Sequence, residues 1–170
     1  MVETGLIYAV GHALAARAIR LNSTGDRERA VAMAKRATNI KLPPSFVLTD
    51  YFNHFSNLGH IYATLQGIGE TFTEYIDSAI ELSEKSLEIS QQLESKDPCR
   101  MRCLNQSADR FRMRYVRGHI DSNIERSLQY SEQLVKLAGG DDAELPLYYG
   151  ERAAGFYYLY LRKHCRLHLY

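Results

Sequence analysis

Proline is scarce in this chain, with four in 170 residues, and cysteine scarcer, with three. The thiols Cys99, Cys103 and Cys165 are odd in number and follow no apolar signal segment, which implies no disulfide framework and points to a reduced, cytoplasmic setting. Long apolar runs are missing as well. Each is interrupted within a turn or two, short of the roughly 20 residues a spanning helix needs, so no membrane partner is expected. Charge of one sign is also lacking. A formal net charge of +1 argues against a general polyanion binder, and no groove pattern of interleaved basic and aromatic residues favours nucleic acid. What remains, 45% hydrophobic and 24% charged, is the composition of a folded chain with a core.

The few prolines carry information because they fall between periodic segments. Pro43 and Pro44, Pro98 and Pro146 each stand where a ring without an N–H can begin a helix. Ser45 and Asp97 are candidate N-caps, and Gly139-Gly140 ahead of Asp141-Asp142 reads as a stop and turn. Between these marks apolar residues recur every three or four positions. Leu48, Phe52, Phe55, Leu58, Tyr62 and Leu65 form one such stripe; Met101, Leu104, Ala108, Phe111 and Tyr115 form a second. A third runs through Ile120, Ile124, Leu128, Ser131, Leu134 and Ala138. No segment alternates as a strand does. The pattern predicts an all-α chain of seven helices, near 3–22, 26–39, 46–67, 71–94, 98–117, 119–138 and 146–167.

These helices repeat. Ala108, Phe111, Tyr115, Arg117 and His119 return in type at an offset of 45 as Ala153, Phe156, Tyr160, Arg162 and His164. Tyr75–Ile80 matches Asn123–Leu128 at an offset of 48, which also sets Asn57 on Asn105. An earlier copy of the second helix lies at Asp26–Ala34. A period of 45–48 residues built of two helices predicts a solenoid of antiparallel hairpins, near 3–39, 46–94 and 98–138, with an unpaired helix at 146–167, all in one domain over 1–170.

The string from Leu104-Asn105 to Arg114-Tyr115, with Ser56-Asn57-Leu58-Gly59 one repeat earlier and Asp97-Pro98 before Arg100, resembles the long tetratricopeptide-type repeats of fungal proteins that often end in a caspase-like CHAT domain. The resemblance covers about residues 50 to 165 and departs from the family pattern at 66–73 and in the first forty residues. It implies a right-handed superhelix that binds a partner on its concave face. Any His and Cys dyad of the family would sit in a separate α/β domain, which is not part of these helices.

On a concave face built by first helices, the polar residues between core positions are Tyr51, His54, Asn57, Arg102, Asn105, Asp109 and Arg112. An amide can hold an extended main chain by donor and acceptor together, and a guanidinium can grip a carboxylate through two bonds, so a protein or peptide partner, including an acidic segment, is expected. Arg100, Arg102, Arg110, Arg112, Arg114 and Arg117 crowd one segment in which Asp109 is the lone acid. Either they attract that acidic segment, or they pair with Glu81, Glu84, Glu125 and Glu132 on neighbouring helices.

Catalytic patterns are thin. His164 and His168 share a helical face, as do Cys99 and Cys103, yet a zinc site would require these distant pairs to meet. Asp141-Asp142 reads as helix capping, and the tyrosines of the last helix read as packing. No enzyme, cofactor or metal is expected. The rival is a small helical metal-dependent enzyme or sensor using His54, His60 or the Asp141-Asp142 pair. The last helix, with no second half following it, suggests a piece of a larger repeat protein, self-association through this end, or a helix that folds back.

Overall fold

Local chemistry sets where each helix begins and ends. The structure, a computed structural model, describes residues 2–40, 47–65, 72–93, 97–140 and 142–165. Among them are seven helices: α1 (Val2–Leu21), α2 (Thr24–Thr38), α3 (Leu48–Leu65), α4 (Phe72–Ser90), α5 (Pro98–Gly118), α6 (Asp121–Ala138) and α7 (Leu145–Cys165). The described residues contain no strand, as the sequence predicts. Asp97 caps α5 by accepting the Cys99 N–H at 2.7 Å, with Pro98 in the first turn where its missing N–H leaves no bond unmade. Gly139 closes α6 at φ 72°, a conformation that glycine adopts without strain. Ser45, with Pro43 and Pro44, lies outside the described residues.

Two helix ends are set by residues other than the proline and glycine marks of the sequence reading. Asn22 takes φ 48° after α1, and Ser23 then caps α2 by accepting the Asp26 N–H at 3.3 Å. His119 ends α5 at φ 51° with its N–H on the Tyr115 carbonyl at 2.7 Å. Ile120, expected in the core stripe of the sixth helix, is instead the residue just before α6 and is half exposed.

The contacts gather into two compact units, Met1–Gln92 and Leu93–Tyr170. In the first, α1 pairs with α2 and α3 with α4, and α3 also packs on α1 and α2. Ala15, Ala18, Ala30, Ala34 and Ala37 are fully buried, small enough to let backbones approach closely. Asp26 is buried at the α1–α2 turn, where both of its oxygens accept from the Arg17 guanidinium at 2.6 Å. Tyr8 meets His54, Gly11 faces Ile61 and His12 meets His60. These contacts ascend α1 and α3 together, so the two helices run parallel.

The second unit repeats that relation. Across the α5–α6 hairpin the Ser127 hydroxyl donates to the Ala108 carbonyl at 2.7 Å, and Phe111 lies 5.7 Å from the Tyr130 ring with the Arg126 guanidinium 4.9 Å above its face. The α7 helix packs against α6, where a Cβ on Gly155 would sit 2.7 Å from Leu128 Cδ2. It also packs against α5, through Arg112 to Glu151 at 3.2 Å and Tyr115 to Tyr158 at 6.4 Å between centroids. The latter contacts ascend both helices, so α5 and α7 are parallel too.

Two outcomes follow from this packing. Phe111 is 1% exposed, and Phe111→Ala should lower the unfolding free energy by about 3–5 kcal/mol, read from urea titrations at constant slope. The Arg17 hydrogen bonds hold the Asp26 carboxyl below its ordinary value. Its contribution is therefore present above about pH 4 and lost as pH falls through the folded value. Thermal midpoints of Asp26→Asn should lie below those of the parent at neutral pH, with the gap closing toward pH 2.

Candidate functional site

Within Leu93–Tyr170 an open cleft of about 700 Å³ lies between the first turns of α5 and the entry to α7. That volume is in the range of small-molecule and peptide side-chain sites. One wall is α5, which contributes Cys99, Met101, Arg102 and Asn105; the other is Asp142, Glu144 and Tyr148. The asparagine stands out. Its Oδ1 is buried and has no hydrogen-bond partner among the described residues, an uncommon state for a buried acceptor.

The acidic wall is held by its own bonds. Asp142 Oδ1 accepts the Glu144 N–H at 2.8 Å, a turn that leads the chain into α7. The buried Tyr148 hydroxyl donates to Glu144 Oε2 at 2.8 Å, one turn further on. Burial, together with Glu144 and Asp142, pushes the Tyr148 hydroxyl well up, so it stays a donor. Burial and the nearby Asp97 likewise raise the Cys99 thiol, the opposite of what an activated nucleophile needs. Cys103 behind it is pushed up to about 12 by burial.

The residues that the sequence nominates divide into three groups. Arg102 and Asn105 line the cleft together. Asp109 and Arg112 form an ion pair with each other, and Arg112 also reaches Glu151, which ties α5 to α7. Tyr51, His54 and Asn57 belong to the first unit. Tyr51 and Asn57 are half-buried, whereas His54 is 3% exposed and shares a hydrogen bond between its Nδ1 and the Tyr8 hydroxyl. It is buried because α3 has neighbours on three sides, so its covered face is wider than the one stripe that spacing marks out.

The arginines of α5 do not form one charged face. Arg110 is buried, with Cys103 and Asp109 close enough to act on its charge, and burial lowers its guanidinium to about 10. Glu81 pairs with Lys85 and Glu132 with Lys136 along their own helices, and Arg112 takes Asp109 and Glu151. Asp142, Glu144 and Tyr148 are the part of the cleft that the sequence reading missed. The 45-residue offset contained a signal for them, since it sets positions 147 and 150 beside Arg102 and Asn105.

Among the described residues no three His, Cys, Asp or Glu side chains cluster as a metal site would require. Asp141 and His168, and the side chain of Cys165, lie outside the described residues. No described helix is long and apolar enough to cross a membrane. No protein-family model matches the chain, and no curated protein or solved structure matches it either.

The first unit yields its own pH prediction. Burial lowers His54, and burial together with the neighbouring His60 lowers His12. Folding then favours the neutral rings. That stability is present above the ordinary imidazole value of about 6.5 and is lost as pH falls below it. Thermal midpoints should drop between pH 7 and 5, and the double variant His12→Asn with His54→Asn should flatten that slope.

Proposed function

We propose that the chain is a helical-repeat binding module, without catalysis of its own, that holds an extended peptide segment of a protein partner in the cleft between α5 and α7. The observation that carries this reading is an open cleft that brings Asn105, whose buried Oδ1 has no hydrogen-bond partner among the described residues, together with Arg102 and two acids. An asparagine there accepts a main-chain N–H and donates to the next carbonyl, which fixes a strand-like segment without regard to its sequence. Arg102 on one wall and Asp142 with Glu144 on the other add selectivity for side chains of both signs. The acidic segment expected from sequence becomes, on this reading, one bearing a basic side chain as well.

The solenoid belongs to the same proposal. Parallel first helices within each unit, in contact at separations near the repeat offset of 45–48, are what stacked hairpins produce, and they support a tetratricopeptide-like, right-handed superhelix. Kinship with the repeat regions of CHAT-domain proteins and a cytoplasmic location stand as parts of this reading.

The test is to pan the purified chain against a random peptide library and titrate the selected peptides calorimetrically. Asn105→Ala and Arg102→Ala should each weaken binding about 10-fold or more, a change of about 1.4 kcal/mol, with the helical circular dichroism unchanged. Selected peptides that bind both variants as tightly as the parent chain would overturn the assignment.

A further inference from the structure

The outer side of α7 is apolar and open. Tyr149, Phe156, Tyr157 and Tyr160 are each 50% exposed or more. On one helix Tyr149, Ala153, Phe156 and Tyr160 fall at i, i+4, i+7 and i+11, a single stripe. Scattered exposed aromatics are ordinary on a protein surface, but an ordered stripe is not.

The internal repeat says what such a stripe is for. At the offset of 45 it corresponds to Leu104, Ala108, Phe111 and Tyr115 of α5, all of them buried. The element over that α5 face is α6. Ser127 bonds the Ala108 carbonyl, and Tyr130 and Arg126 cover the Phe111 ring. Phe156, the counterpart of Phe111, is 50% exposed and among the described residues has Arg152 of its own helix over its face, at 5.6 Å. The chain pairs a first helix with a second in this manner in both units, because α4 covers α3 with the equivalent positions Ile76, Ala79 and Ser83, all buried.

We infer that the Tyr149–Tyr160 stripe of α7 is a docking face for an amphipathic helix of the α6 kind, carrying a narrow stripe of Ile, Ser, Ser and Leu like Ile124, Ser127, Ser131 and Leu134. The serines matter as much as the apolar residues. A small side chain opposite Ala153 lets the backbones approach closely enough for a hydroxyl to reach the exposed carbonyl, and an arginine one position earlier can cover Phe156. This inference rests on the repeat and on contacts inside Leu93–Tyr170, and Phe156 lies outside the cleft, so either proposal can fail while the other stands.

The probe is a fluorescent synthetic peptide of residues 120–139 of this chain, titrated with the full-length protein and followed by anisotropy, with light scattering on the protein alone. The expected result is saturable binding with a gain of helicity. Binding should weaken about 10-fold or more for Phe156→Ser and for a peptide carrying Ser127→Leu. Equal binding to the parent and Phe156→Ser would show the peptide exchanging into the α5 face instead and would overturn the inference. So would no binding at about millimolar protein, or a dimer of the chain alone that Phe156→Ser dissolves, which would make a second copy the occupant.

Discussion

Everything in this structure depends on first helices packing side by side. A hairpin of two amphipathic helices buries only the faces its members turn to each other, and the remaining apolar surface must find a neighbour elsewhere. Within each unit it finds the helix two elements on, running parallel: α3 against α1, and α7 against α5. Parallel helices joined through an intervening helix can lie side by side without a long connection. Small residues make the approach possible. Gly11 of α1 admits Ile61 of α3, and Gly155 of α7 likewise admits Leu128 of α6, where a Cβ would force the end of the facing side chain to move aside.

The second helices solve a matching problem with serine. Ser83, Ser86, Ser90, Ser127 and Ser131 are buried, and a buried hydroxyl without a partner would cost more than a methyl group gains. Ser83, Ser86, Ser90 and Ser131 return their hydroxyls to carbonyls three or four residues back at 2.8–3.0 Å. Ser127 instead reaches across to another helix, at the Ala108 carbonyl. Serine therefore serves as a small core residue with its polarity already satisfied, which explains how a chain with modest hydropathy packs closely.

The helices were legible because their signals are local. Spacing every three or four residues, proline at helix starts and Gly139 at a stop locate all seven within about four residues at each end, and Met101, Leu104, Ala108, Phe111 and Tyr115 are all buried as their stripe requires. The break between α1 and α2 was also placed to within two residues, although its devices, an asparagine in the left-handed region and a serine cap, were not named from the sequence. Half of the cleft was legible for the same reason. Arg102 and Asn105 sit on a face that periodicity can label, whereas Asp142, Glu144 and Tyr148 join them only through the parallel packing of α5 and α7. His54 shows the limit of a one-stripe rule, since periodicity gives a helix one buried side and α3 has neighbours on three.

Parallel packing also accounts for where the cleft lies. In an antiparallel pair each positive helix start adjoins a negative end, but the parallel pair α5 and α7 brings two starts to the same side, where their dipoles repel and acids are favoured. Asp97 at the first start and Asp142 with Glu144 at the second meet that need, and they do so through main-chain bonds to Cys99 and within the α7 entry turn. Two helix starts capped separately cannot close fully on each other, so space remains between them. The acids of the cleft thus have structural duties before any partner arrives, and Tyr148 occupies one Glu144 oxygen as well. Asn105 is different. Its buried Oδ1 has no hydrogen-bond partner among the described residues, so this wall of the cleft carries a polar group that the fold itself does not satisfy, and the proposed binding rests on it rather than on the acids.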